Sequence, residues 1–172
     1  MSRNRGVRGW SWAVVCGALL ASGTFAACED SVMGPDLQSQ LLVGGVTYSV
    51  TSFAIAESFP VQIGVTVELR NGSGSPQSVT FPDGCVLLMR AYDSRDNLAW
   101  DFGHLVDCTQ SLVEVDLSPG EIREFQTGLI SAYTILGESL PDGQYRIAVY
   151  LRPDGQTVEL DAGMADLAVP RD

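Results

Sequence analysis

The sequence predicts an antiparallel β-sandwich, and three observations carry that prediction. VQIGVTVELR, from Val61 to Arg70, alternates strictly between an apolar and a polar side. QYRIAVYL, from Gln144 to Leu151, repeats the same period of two. Clusters of Gly, Pro, Asn and Asp recur every ~8–12 residues, with no helical period between them long enough to alternate with the strands. A chain of 172 residues with 45% hydrophobic content can hold one packed domain and a short leader.

The leader comes first. Arg3, Arg5 and Arg8 precede a run from Trp10 to Cys28 that carries no charge and ends in small residues. That is the anatomy of an export signal over residues 1–27. The arginines are not adjacent, which argues against the twin-arginine route. Phe25-Ala26-Ala27-Cys28 resembles a bacterial lipobox, with Phe25 where an aliphatic residue is usual. Thr24-Phe25-Ala26 would alternatively serve an ordinary signal peptidase and release a secreted, soluble protein. Cysteine usage favours the lipid. Of four cysteines, Cys16 leaves with the signal, and Cys85 and Cys108 can pair in an oxidising compartment. Cys28 then remains where acylation would consume it. Each buried methylene of an acyl chain stabilises membrane attachment by about 0.8 kcal/mol. The expected location is the cell envelope, with the domain facing the periplasm or the exterior.

Every basic residue is Arg. Removing residues 1–27 takes three arginines and no acid, which moves the formal net charge from -11 to -14. So acidic a chain repels nucleic acid and anionic headgroups. No run of consecutive acids marks a binding patch, so the charge reads first as solubility.

In chain order, residues 28–40 are polar with a Gly-Pro step and read as a tether. The domain, residues 41–172, should begin near Leu41. VTYSVTSFAI (Val46 to Ile55) is β-branched and aromatic, and Ala56 to Pro60 breaks it. In Val61 to Arg70, the odd-numbered residues Val61, Ile63, Val65, Val67 and Leu69 form the buried face. Asn71 to Pro76 is a turn, and Ser78 to Phe81 returns. Cys85 to Asp93 is an apolar strand, Ser94 to Asn97 a turn, and Leu98 to Phe102 a strand that brings in Trp100. Ser111 to Leu117 alternates, with Val113, Val115 and Leu117 opposite Leu112, Glu114 and Asp116. Ser118-Pro119-Gly120-Glu121 is a turn into Ile122–Ile130, a strand of lower amphipathicity. Ser131–Gly143 is a loop or a helical turn. After Gln144–Leu151, Pro153-Asp154-Gly155 turns into two short pieces, TVEL and ADLAV. Eight or nine strands result.

Four ordered segments carry a family resemblance: VTVELRNGSGSPQSVTFPDG, AYDSRDNLAWDF, LSPGE before IREF, and LPDGQYRIAVYL. Together they resemble the BsuPI-type proteinase inhibitor domain, over roughly Val61 to Leu151. The resemblance implies an immunoglobulin-like sandwich and a protein-binding role, with a proteinase as the partner. Contact would be made by a loop or a sheet edge. Asn71–Pro76 and Ser131–Gly143 are the loops it points to. The chain departs from the family at Asn97, where Gly is usual, at Thr127-Gly128-Leu129, and in its added Cys85 and Cys108.

The chemistry-bearing residues are few. Cys85 and Cys108 have no C-x-x-C spacing, and with the single His104 they fall short of a zinc set; they read as a structural disulfide. His104, Asp107 and Ser111 lie near one another without a nucleophile elbow. Asp93, Asp96 and Asn97 offer oxygen ligands but lack the calcium-loop spacing, and they suit a hairpin turn. Asn71-Gly72-Ser73 fits a glycosylation sequon and, first, a turn. No catalytic, cofactor or metal residue is expected. The expectation is a non-enzymatic, envelope-anchored or secreted protein that binds another protein as a proteinase inhibitor. The alternative is an accessory envelope module without inhibitory activity.

Overall fold

The computed structural model describes residues 39–56 and 60–170. The export signal, the lipobox with Cys28 and most of the tether lie outside the described residues. The fold is an all-β antiparallel sandwich.

One sheet runs β1 (Gln40–Val43), β2 (Val46–Ala56), β3 (Gln62–Asn71), β8 (Ile122–Gln126), with the short β9 (Ile130–Ser131) also on β3. The second runs β11 (Val158–Leu167), β10 (Gly143–Leu151), β5 (Leu88–Tyr92), β6 (Leu98–Asp101). A separate ribbon pairs β4 (Gln77–Phe81) with β7 (Val113–Leu117). The odd residues of β3 are buried as the alternation requires, with Ile63, Val67 and Leu69 fully so. From the other sheet, Tyr145, Ile147, Val149 and Leu151 of β10 meet them in one apolar core with Val79 and Phe81 of the ribbon.

The structure differs from the sequence-based expectation in several places. The first described strand, β1, begins at Gln40, one residue before the expected start at Leu41, and the amide of Val50 donates to Ser39 O at 3.3 Å. β5 begins at Leu88 rather than Cys85. Ile122–Ile130 is two strands, because Gly128 turns the chain with φ 72°. The pieces TVEL and ADLAV belong to one strand, β11, whose register against β10 shifts between Ile147 and Ala148. That bulge interrupts the period of two in sequence without ending the strand in space. The ambiguous stretch 131–143 holds a short helix, α1 (Ala132–Leu136), which buries Ala132, Ile135 and Leu136. It is therefore packed into the domain rather than presented as a free loop.

Candidate functional site

The disulfide forms as expected, joining Cys85 to Cys108 with Cα atoms 5.4 Å apart. It closes a 23-residue separation around the β5–β6 hairpin. Asp83 lies with the two sulfurs in the single Cys, His, Asp and Glu cluster tight enough for a metal among the described residues. Both sulfurs are spent in the S–S bond, so that cluster has no thiolate to offer a metal.

The other sequence candidates resolve into structural roles. His104, Asp107 and Ser111 are all exposed, and no hydrogen bond or ion pair joins them. Asp93 accepts hydrogen bonds from the amides of Arg95 (2.8 Å) and Asn97 (2.9 Å) and from the Asn97 side chain. These bonds hold its carboxyl below the usual aspartate range. Asp96 takes the left-handed position of this turn, φ 61°, and pairs with Arg146. The carboxylates are used in building the hairpin.

Among the described residues, Asn71 is the most deeply buried polar one. Its side-chain nitrogen donates to Ser75 O (2.8 Å) and Leu117 O (3.0 Å), and its oxygen accepts from the Ser73 amide (2.9 Å) and hydroxyl (2.7 Å). Its main chain is engaged too: its amide donates to Glu121 O, and its carbonyl accepts from the Gly120 amide. One residue thus ties the β3–β4 turn to the β7–β8 turn. Asn71–Pro76 is a locked corner, and the nitrogen a glycan would need is committed to two carbonyls.

Two surfaces remain as candidates. The first is the outer face of the β11-β10-β5-β6 sheet. Arg90 lies between Asp101 (2.9 Å) and Glu159 (2.6 Å) and stacks on Tyr150, 3.9 Å from its ring centroid. Arg146 stacks on Tyr92 at 4.1 Å and pairs with Asp96 at 2.6 Å. Tyr150 and the Gly103 amide both donate to the buried Asp101. Burial pushes the Asp101 carboxyl up; the bonds from Arg90, Gly103 and Tyr150 outweigh it, and the group ionises below the ordinary aspartate range. A Cβ at position 103 would run into the Tyr150 hydroxyl, so glycine fits there without displacing the hydroxyl from Asp101.

Each of these two cations and both tyrosine hydroxyls already has a partner. The face is therefore a self-contained network that stiffens the sheet. A depressed folded pKa stabilises the fold above the unfolded value and ceases to do so as pH falls through the folded value. The Asp101 contribution is thus full above about pH 5 and fades below the ordinary aspartate pKa of about 3.9. Asp101→Asn should cost about 2 kcal/mol at neutral pH and flatten the acid limb of a stability–pH curve. An unchanged acid limb, measured by urea unfolding from neutral pH downward, would show that the network does not act this way.

The second surface is a groove of about 470 Å³ between β7 and β8, lined by Glu114, Val115, Asp116, Arg123, Glu124 and Phe125. Sequence reading missed it. β7 and β8 follow one another across the tight turn Ser118–Glu121, yet they do not pair: β7 pairs with β4, and β8 with β3. The groove's floor includes Phe125, held by Phe81 at 6.1 Å between ring centroids. Phe125 also lines an adjoining apolar pocket of about 280 Å³, whose walls include Cys85, Val86, Leu87, Phe102 and Val106. The two pockets meet at Phe125: the first carries three acids and Arg123, and the second, beside the disulfide, is mainly apolar.

The fold and these surfaces define a disulfide-closed antiparallel sandwich domain with an open strand edge. No family model matches the chain, and no curated protein matches it. Among solved structures it is similar to a protein assigned as beta-galactosidase from Bacteroides fragilis, at 17% identity and a TM-score of 0.39 over 72% of this chain and 16% of that one. It is also similar to a protein assigned as ApaA from Bordetella pertussis, at 18% identity and a TM-score of 0.35, over 79% of this chain and 99% of that one. Bacteroides uniformis beta-glucuronidase matches at 13% identity and a TM-score of 0.36, over 72% of this chain and 13% of that one. The chain thus spans 16% and 13% of the two glycosidases. At these values, nothing of those proteins' chemistry is carried over to it. Among the described residues, no helix is long and apolar enough to cross a membrane.

Proposed function

We propose that this protein is a non-catalytic binding domain of the cell envelope, anchored by a lipid on Cys28, that engages another protein through the groove between β7 and β8. The observation that supports it is the groove itself: among the described residues, two consecutive strands each leave one edge unpaired beside a half-buried Phe125. Open strand edges are characteristic protein-docking sites, because added main-chain hydrogen bonds supply affinity. The resemblance to BsuPI-type domains favours a proteinase as the partner, blocked by occupation of its surface. An envelope accessory role without inhibition is the second reading, supported by the acidic, export-type character of the chain.

The test is capture from envelope extract on the protein and on a Glu124→Arg variant in parallel, followed by titration of the captured species against a panel of serine proteinases. Selective retention by the unaltered protein, with stoichiometric inhibition, is the expected result. Retention without inhibition leaves the accessory role. Equal retention by both proteins removes the groove from consideration. Maturation should be blocked by globomycin and abolished by Cys28→Ser; normal processing of that variant would remove the lipid anchor.

A further inference from the structure

The rims of the groove can be resolved to individual backbone groups. On β8, the Asn71 amide donates to Glu121 O and the Thr127 amide to Val65 O, each at 3.0 Å. Antiparallel bonding alternates, so the odd residues of β8 bond β3. Ile122, Glu124 and Gln126 therefore turn their N–H and C=O groups toward the groove. On β7, the parity follows from β4. The Thr80 amide donates to the Asp154 carboxylate at 3.0 Å instead of to β7. The pairs Thr80–Glu114 and Ser78–Asp116 are then the non-hydrogen-bonded kind. Glu114 and Asp116 consequently present their own N–H and C=O groups away from β4, toward β8.

Among the described residues, each rim thus offers a row of unpaired donors and acceptors; the residues that offer them include three exposed acids, Glu114, Asp116 and Glu124, while the one cation of the lining, Arg123, is already paired with Glu121. Their neighbours, Val115 and Phe125, point to the opposite, half-buried side. Side chains of any strand laid in the groove would alternate in the same way. We propose that the groove takes an extended segment of a partner protein as an added β-strand. Its outward residues are basic, opposite Glu114, Asp116 and Glu124, and its inward residues are apolar, over Val115 and Phe125. This rests on the protein-binding reading above and names the chemistry of the partner.

Charge decides between occupants. A second copy of this chain adding its own β8 in full antiparallel register would place Glu124, the central residue of Ile122–Gln126, against its symmetry mate. The chain contains no lysine and carries net charge -11, so it is poorly suited as its own guest. A helix satisfies its own backbone and brings nothing to pair with either rim. An extended basic segment answers both the backbone rows and the acids.

The probe is a ten-residue random peptide library displayed on phage and selected on the immobilised protein. Sequences alternating Arg or Lys with β-branched or aromatic residues should be enriched. Synthetic versions should bind about tenfold more weakly to Glu124→Arg, where attraction becomes repulsion. They should also bind weakly to Glu124→Pro, which deletes one outward N–H and leaves the β3 ladder intact. Melting temperatures near that of the parent show that each variant is folded; if the proline variant is not, the arginine variant carries the test. Methylating alternate amides of the peptide should abolish binding. Enriched peptides lacking basic alternation, binding indifferent to Glu124→Arg or to amide methylation, or no enrichment at all each overturn strand addition. The broader protein-binding reading falls only if the envelope capture experiment also fails.

Discussion

Replacing Asn71 with alanine is expected to destabilise the fold by about 3–4 kcal/mol. The estimate rests on its bonding. Leaving a buried polar group without its partner costs about 1–3 kcal/mol, and the change strips the Leu117 and Ser75 carbonyls of a donor and Ser73 of an acceptor. Asn71→Asp separates the two halves of this role. It keeps the acceptor for Ser73, loses both donors, and places a charge where exposure is nil, so it should be at least as damaging as alanine. Urea unfolding at neutral pH reads both variants, with an unchanged m-value as the sign that the two end states are comparable. A loss below about 1 kcal/mol for Asn71→Ala, the ordinary net worth of one hydrogen bond, would mean that the corner relaxes and water replaces the lost partners.

The second large effect comes from the disulfide. Exchanging both Cys85 and Cys108 for serine should remove about 3–4 kcal/mol, since an open loop of this length restores that much chain entropy to the unfolded state. Single and double replacements should be equally harmful, because either one breaks the same bond. Alkylation of the unreduced, denatured protein should leave both residues unlabelled, and labelling after reduction should reach both. Free thiols at these two positions before reduction would contradict the pairing. A further consequence is local. Cys85 lines the apolar pocket that adjoins the groove at Phe125, so the serine variants should bind the selected peptides more weakly than their residual stability alone would require.

Much of the fold was legible in the sequence because the period of two survives wherever a strand has one buried face. β3, β7 and β10 show it plainly. Asn71 itself was legible in hindsight. It continues the odd-numbered series from Val61 to Leu69, and a polar residue in phase with a buried face marks a core hydrogen-bonding site. β1 was not legible, since four residues with Leu41 and Leu42 exposed give no alternation to detect. β11 was read as two pieces because its bulge breaks the period. The groove was beyond sequence reasoning for a different reason. Ser118–Glu121 is a tight turn between two strands, and local rules favour a paired hairpin across it. That the two strands separate is decided by long-range pairing, β7 with β4 and β8 with β3, which no local pattern encodes.

The orphaned indole on β6 has an optical consequence. Trp10 and Trp12 both precede residue 28, so the form lacking residues 1–27 carries Trp100 as its single tryptophan. The ring is largely buried, stacks on Phe102 at 5.7 Å between centroids, and leaves its N–H without a partner. Phe102 is in turn a wall of the apolar pocket that adjoins the groove at Phe125. A strand bound along β8 beside that pocket is expected to shift the emission of this one tryptophan, which is selectively excitable over the tyrosines; a titration with no change in its emission would show that binding does not reach Phe102. The same largely buried ring should also report unfolding, since exposure to water shifts its emission.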